Sequence, residues 1–165
     1  MSALIIRDAR RNDLAEILAI HNDAILNSLS IWQYEAVPLA NREAWFEDRA
    51  GKGQPILVAE IDGAVAGYAS YGDFRHGVGY GRTVEDSIYV RADLRGKGIA
   101  RALMGPLIDH ARGAGKHAMI GAIGLPNDAS VALHAAFGFV DMGTLREIGR
   151  KNGRWLDLKM MQKTL

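Results

Sequence analysis

The chain has 165 residues, 48% hydrophobic and 24% charged, a size and balance that fit a single soluble domain over 1–165 with a core of its own. Twenty Lys and Arg against 19 Asp and Glu leave a net charge of +1, so no global field draws the protein to nucleic acid or to an anionic membrane, and any basic site is local. There is no cysteine, which excludes disulfides, thiolate metal sites and a cysteine nucleophile; with no secretory signal and no run of about 20 apolar residues, a cytoplasmic protein is expected.

The first segment, "LIIRDA", reads as a strand. "NDLAEILAIHNDAIL" follows as a helix, with Leu14, Ile17, Leu18, Ile20 and Ile25 at near-helical spacing and Asn12 or Asp13 as its cap. "SLSIWQYEAVPL" is a polar and aromatic loop, and "NREAWFEDRAGKG" a second short helix that stops at glycine. Two β-rich runs then flank Asp62-Gly63, the signature of a hairpin, and "TVEDSIYV" adds a third strand. A helix is expected from about Gly98 to Arg112, kinked at Pro106, whose ring removes a backbone bond to Ala102. "HAMIGAI" is a strand, and "NDASVALHAAFG" a helix capped by Asn127 or Asp128 and stopped by Gly138. Two last strands meet at Asn152-Gly153, again a hairpin signal. The order β-α-α-β-β-β-α-β-α-β-β predicts an α/β (α+β) mixed sheet with helices on its faces.

"RADLRGKGIA" at 91–100 is the segment richest in chemistry. A glycine turn before a helix can hold phosphate through backbone N–H groups and the positive end of the helix dipole. It is not a Walker A loop, because no Gly-Lys pair is followed by Ser or Thr. It is not a dinucleotide fingerprint either, since "GKGIAR" ends in Arg101 and follows a late strand. A solvated turn with helix-flanking charges is the plain alternative.

"IYVRADLRGKGIARALM" resembles the acetyl-CoA motif of the GNAT superfamily of N-acyltransferases, whose [QR]-x-x-G-x-[GA] pattern is met by Arg95, Gly98 and Ala100. "LPNDASVALHAAFGF" is similar to that family's second motif, and the resemblance spans essentially the whole chain. It implies acetyl-CoA as co-substrate, its pyrophosphate on Gly96, Lys97, Gly98, Ile99, Ala100 and Arg101. Its pantetheine would lie along Ile88, Tyr89 and Val90 like an added strand, with Asn127 beside it.

Without a cysteine or a clear serine elbow, direct attack of an amine on the thioester is expected rather than an acyl-enzyme. The amine must lose a proton, and Glu85, just upstream of the pantetheine strand, is the candidate general base. A backbone N–H near Tyr89 or Val90 would meet the oxyanion. Strand alternation puts Glu85, Ser87 and Tyr89 on one face and Val84, Asp86, Ile88 and Val90 on the other. Many family members carry a tyrosine acid where this chain has His134, which either protonates the leaving thiolate or simply packs. His21, His110 and His117 show no ligand spacing, so no metal is expected.

"FRHG" and "RTVEDSIYV" are similar to the phosphinothricin N-acetyltransferase branch. That resemblance implies acetylation of the α-amino group of small amino-acid analogues such as methionine sulfoximine, methionine sulfone and phosphinothricin, hence a herbicide- or antibiotic-resistance role, and a homodimer. The acceptor carboxylate would meet Arg75 with His76 and Gly77, or Arg82, and Glu85, Asp86 and Ser87 would face the amine and side-chain head. Trp32 or Tyr34 would line the acceptor pocket or pack against the sheet or a second subunit. Two rivals stand: a peptide or protein N-terminus as acceptor, and a non-catalytic acyl-CoA-binding module.

Overall fold

The computed structural model describes residues 3–165 and follows the expected element order. Strand β1 (Leu4–Asp8) leads into α1 (Leu14–Asn27) and α2 (Leu39–Gly51), then β2 (Ile56–Ile61), β3 (Ala64–Asp73) and β4 (Thr83–Val90). Helix α3 (Ile99–Gly113), β5 (Ala118–Gly124), α4 (Asp128–Ala136), β6 (Val140–Lys151) and β7 (Arg154–Thr164) complete it. Among the described residues seven strands form one sheet in the order β1-β2-β3-β4-β5-β7-β6, antiparallel except where β4 meets β5.

Both hairpins form where the sequence predicts them. Asp62 and Gly63 have φ of 51° and 80°, and Asn152 and Gly153 have 51° and 75°, the doubly positive pair that a two-residue hairpin turn demands. At the head of α1, Asp13 does not serve as a simple side-chain cap. Its carboxylate accepts from Arg7 at 2.8 and 2.9 Å and from the Arg10 backbone N–H at 2.6 Å, tying the helix start to β1. Helix α3 continues past Pro106 to Gly113; the proline is on its exposed side and does not end the helix.

The two faces of the sheet bury different helices. Leu14, Ile17 and Ile20 of α1 pack on Val58, Val65 and Tyr68, with Trp45 and Phe46 of α2 beside them. On the other face Leu103, Met104 and Leu107 of α3 pack on Ala59, Ala69, Val84 and Ile123. Each such fully buried side chain contributes about 1.5–3 kcal/mol. Alternation therefore turns Val84, Ile88 and Val90 of β4 toward α3 and Tyr89 toward α1.

The feature that positions the site is a break in the ladder. β4 and β5 pair only at Thr83–Ala118, Val84–Met119 and Glu85–Ile120, although β4 runs on to Val90 and β5 to Gly124. Beyond Glu85 the two parallel strands diverge, and the sheet opens into a wedge.

Candidate active site

The wedge is a cleft of about 570 Å³. One wall is β4 from Asp86 to Val90, the opposite wall Ala122, Ile123 and Gly124 of β5, and its mouth is framed by the start of α3 and of α4. On the β4 wall, the Arg91 N–H donates to Ala66 O of β3. Neighbouring residues of a strand point their N–H and C=O groups to opposite sides, so those of Ile88 and Val90 face the cleft. An extended amide-bearing chain in the wedge would meet them as an added strand.

At the mouth, Gly96 and Gly98 adopt φ of 75° and 81°, and nothing lies within 4 Å of where their Cβ atoms would stand. This left-handed backbone needs glycine and leaves the amides at the head of α3 accessible. Gly98, Ile99, Ala100 and Arg101 line the cleft, and Lys97 is exposed beside it. Arg95, also in the lining, reaches Asp23 of α1 at 3.1 Å and Val90 O at 3.3 Å, bracing the loop. Arg91 pairs with Asp93. Asn127 also lines the cleft, and its Oδ1 accepts from Ser130 N at 3.2 Å as the cap of α4. An unpaired strand edge leading to a helix N-terminus is a donor set suited to a pantetheine arm ending in a pyrophosphate.

At the closed end of the wedge, the two adjacent acidic residues part. Glu85 is half-buried on the α1–α2 face, at the last rung shared with β5, and is not among the residues lining the cleft. Burial and the neighbouring charge of Asp86 raise its pKa above the usual carboxylate value, making it a stronger proton acceptor near neutral pH. Asp86 points to the other face, toward α4. Of the three residues expected to face the acceptor, Asp86 and Ser87 line the cleft and Glu85 does not, and Asp86 has His134 as its partner.

His134 Nε2 lies 3.1 and 3.2 Å from the two Asp86 oxygens, and both side chains are only 5% exposed. His134 Nδ1 lies 2.7 Å from the carbonyl of Ser130, a pure acceptor, so Nδ1 carries a proton. Nε2 then faces a carboxylate, and that contact is attractive only with a second proton between the two groups. Burial pulls the His134 pKa down, but the Asp86 hydrogen bond and charge and the Ser130 carbonyl outweigh it, and the net direction is up. The ring stands edge-on to Phe139 with centroids 4.8 Å apart. Against β5, only a glycine at 121 leaves it room.

The remaining expected acceptor residues are elsewhere. Arg75 and His76 border a separate surface depression with Asp73, Phe74 and Tyr80; Gly77, with φ of 113°, begins the turn that follows. In the single chain they are not brought into the cleft. Arg82 is exposed, and its carbonyl accepts from His117 and Ala118 N–H. Trp32 packs against the sheet, its indole over Gly124 and Gly149, and Tyr34 is 60% exposed. Sequence reasoning missed Ser28, Leu29 and Ser30, which line the cleft from the α1–α2 connection; a single leucine between two loop serines carries no pattern. Among the described residues no cluster of three or more potential ligands could hold a metal ion, and no helix is long and apolar enough to cross a membrane.

Comparison with known proteins accords with this geometry. Residues 14–139 match the acetyltransferase (GNAT) family. The chain is 52% identical to an L-methionine sulfoximine/L-methionine sulfone acetyltransferase of Pseudomonas aeruginosa, over 100% of this chain and 96% of that one. A Salmonella typhimurium acetyltransferase solved with its cofactor acetyl-CoA superposes with a TM-score of 0.97 at 45% identity, covering 99% of this chain and 95% of that one. A ribosomal-protein-alanine N-acetyltransferase from Brucella melitensis gives 0.96 at 49% identity, covering 98% and 99%. The chain belongs to the acetyltransferase (GNAT) family.

Proposed function

We propose that this enzyme transfers the acetyl group of acetyl-CoA directly to the α-amino group of a small amino acid or analogue of the methionine sulfoximine, methionine sulfone or phosphinothricin type. The observation that carries the reading is the wedge itself: an unpaired β4 edge running from the open amides of the α3 loop to a base on one face and a proton-holding pair on the other. The similarity to the Pseudomonas aeruginosa enzyme supports the acceptor class.

In this mechanism the amides and basic side chains of Gly96 to Arg101 hold the pyrophosphate, and the cleft-facing groups of Ile88 and Val90 align the pantetheine beside Asn127. Glu85 takes the proton of the acceptor amine, directly or through one water. The amine nitrogen then bonds to the thioester carbon and sheds its second proton to solvent, and the Ile88 N–H, nearer the closed end than that of Val90, faces the oxygen on which charge develops. As the C–S bond breaks, the leaving thiolate is neutralised by the proton that His134 and Asp86 hold at the closed end. Because both ring nitrogens of His134 are engaged, that delivery requires the Asp86 contact to lengthen. The acceptor carboxylate is assigned to Arg75 with His76 and Gly77, which a single chain does not carry into the cleft. Acetylation turns an ammonium into a neutral amide, which would blunt a toxic amino-acid analogue.

We further propose a cytoplasmic homodimer. Val140, Met142, Leu145 and Ile148 of the edge strand β6 and Val78 of the Arg75 loop are exposed apolar groups that a second copy would cover. Sedimentation of the purified protein as a monomer at micromolar concentration refutes the dimer.

The decisive experiment is a thiol-release screen with acetyl-CoA over methionine sulfoximine, methionine sulfone, phosphinothricin, the common amino acids and short peptides. Turnover of the analogues with little on peptides is expected. The likeness to the Brucella melitensis protein favours one second reading, a protein N-terminus as acceptor, and activity confined to peptides would establish it in place of the first.

A further inference from the structure

Lys151, at the end of β6, is 2% exposed although it is a lysine beside a hairpin turn. Its ammonium donates to three backbone carbonyls of the segment leaving α1: Ile25, Ser28 at 2.8 Å and Ile31 at 2.6 Å. Three donors meet three acceptors, so the group is fully satisfied, and the negative end of the α1 dipole adds to the fit. The two preceding residues grip the same segment. A side chain at Gly149 would overlap the ring of Trp32, whose Nε1 donates to Leu29 O at 2.9 Å, and the carbonyl of Arg150 accepts from Tyr34 Oη at 2.8 Å. Three consecutive residues of β6 therefore clasp the α1–α2 connection, more than a hundred positions earlier in the chain.

That connection is also a wall of the cleft, through Ser28, Leu29 and Ser30. Glu85 faces the side of the sheet that carries α1 and α2, so an amine approaching it comes from the side this connection closes. We infer that Lys151 is a positioning residue for the acceptor: through Gly149 to Lys151, β6 fixes the wall at Ser28–Ser30 and so sets acceptor affinity, leaving acetyl-CoA binding to the α3 loop and β4. The kinetic half of this inference rests on the acetyltransferase reading above, while the clasp itself does not.

The test uses Lys151→Met, which keeps an unbranched stem one atom shorter and removes its donors. Tyr34→Phe, which removes one hydrogen bond from an exposed residue, is the variant that folds in any case. Amide hydrogen exchange is followed in peptides spanning 25–34 and in α3, and KM is measured separately for acceptor and acetyl-CoA. Hydrogen bonds from a charged donor are strong enough that Lys151→Met should speed exchange over 25–34 and raise acceptor KM about tenfold or more. Tyr34→Phe should move both in the same direction by about threefold, with α3 exchange and acetyl-CoA KM unchanged in either variant. Wild-type exchange rates over 25–34 in both folded variants would overturn the clasp. Equal rises in the two KM values would overturn its acceptor role. If wild-type protein acetylates no amine, the functional reading fails, and the exchange data alone decide whether β6 holds the loop.

Discussion

Replacing Gly121 by alanine tests whether the His134–Asp86 pair is rigid. An added Cβ would stand 2.5 Å from His134 Cδ2 and 2.7 Å from Nε2, where ordinary contact begins at 3.4 Å. The ring would have to withdraw by about 0.9 Å. It has nowhere to go, being held at Nδ1 by the Ser130 carbonyl, at Nε2 by Asp86 and at its edge by Phe139, and it is 4% exposed. The 3.1 Å contact to Asp86 would stretch toward about 4 Å, beyond hydrogen-bonding range. Overpacking, together with a buried carboxylate left without its partner, costs about 3–5 kcal/mol. Urea denaturation should show that loss, and the proton NMR titration of His134 should move to lower pH as Asp86 ceases to favour the charged ring. Turnover should fall with it. If Gly121→Ala unfolds within about 0.5 kcal/mol of the wild type and His134 titrates unchanged, the ring is not locked and the argument for a proton held between it and Asp86 fails.

Glu85→Gln should lower kcat/KM by about 10²–10⁴-fold if Glu85 is the base, with retained activity within tenfold across the pH range as the contrary result. The same variant should be more stable than wild type at neutral and higher pH. The folded-state pKa of Glu85 is raised, so its ionisation destabilises the fold once pH exceeds the ordinary value of 4.5, and the difference in melting temperature should vanish below that pH. Asp86→Asn should behave in the opposite sense. The His134 pKa is raised above 6.5 in the fold, so its stabilising contribution is complete below pH 6.5 and lost as pH climbs through the raised value; the wild-type advantage in urea should be larger at pH 6 than at pH 9. Gly98→Val places a β-branched residue at φ 81° with no neighbour to clash with, so its strain of about 1–3 kcal/mol falls on the loop. Calorimetry should then show acetyl-CoA binding weakened about tenfold or more, with global stability falling by no more than that strain.

What the sequence disclosed, and what it withheld, divides along the distance over which each feature is specified. Asp62-Gly63, Asn152-Gly153 and the Gly96–Gly98 loop declare themselves because a positive φ is a local demand that a particular residue meets locally. Alternation along "TVEDSIYV" likewise separates the faces of Glu85 and Asp86 before any fold is known. The divergence of β4 from β5 is different. No residue of either strand signals that pairing stops at Glu85 and Ile120. The partner of Asp86 is 48 positions away on α4, and Gly121, an unremarked strand glycine, decides whether that partner fits. Lys151 marks the limit of local reading. In "RKNGR" it looks like one more solvated turn charge, and it is buried because the end of α1 and the connection after it, 120 to 126 residues earlier, offer carbonyls to its ammonium. The residues proposed to bind the donor are thus encoded by local backbone geometry, whereas those proposed to shape the acceptor side depend on contacts between distant segments. On that proposal, acceptor preference changes through positions such as 124, 149 and 151 while the motif at 95–100 stays intact.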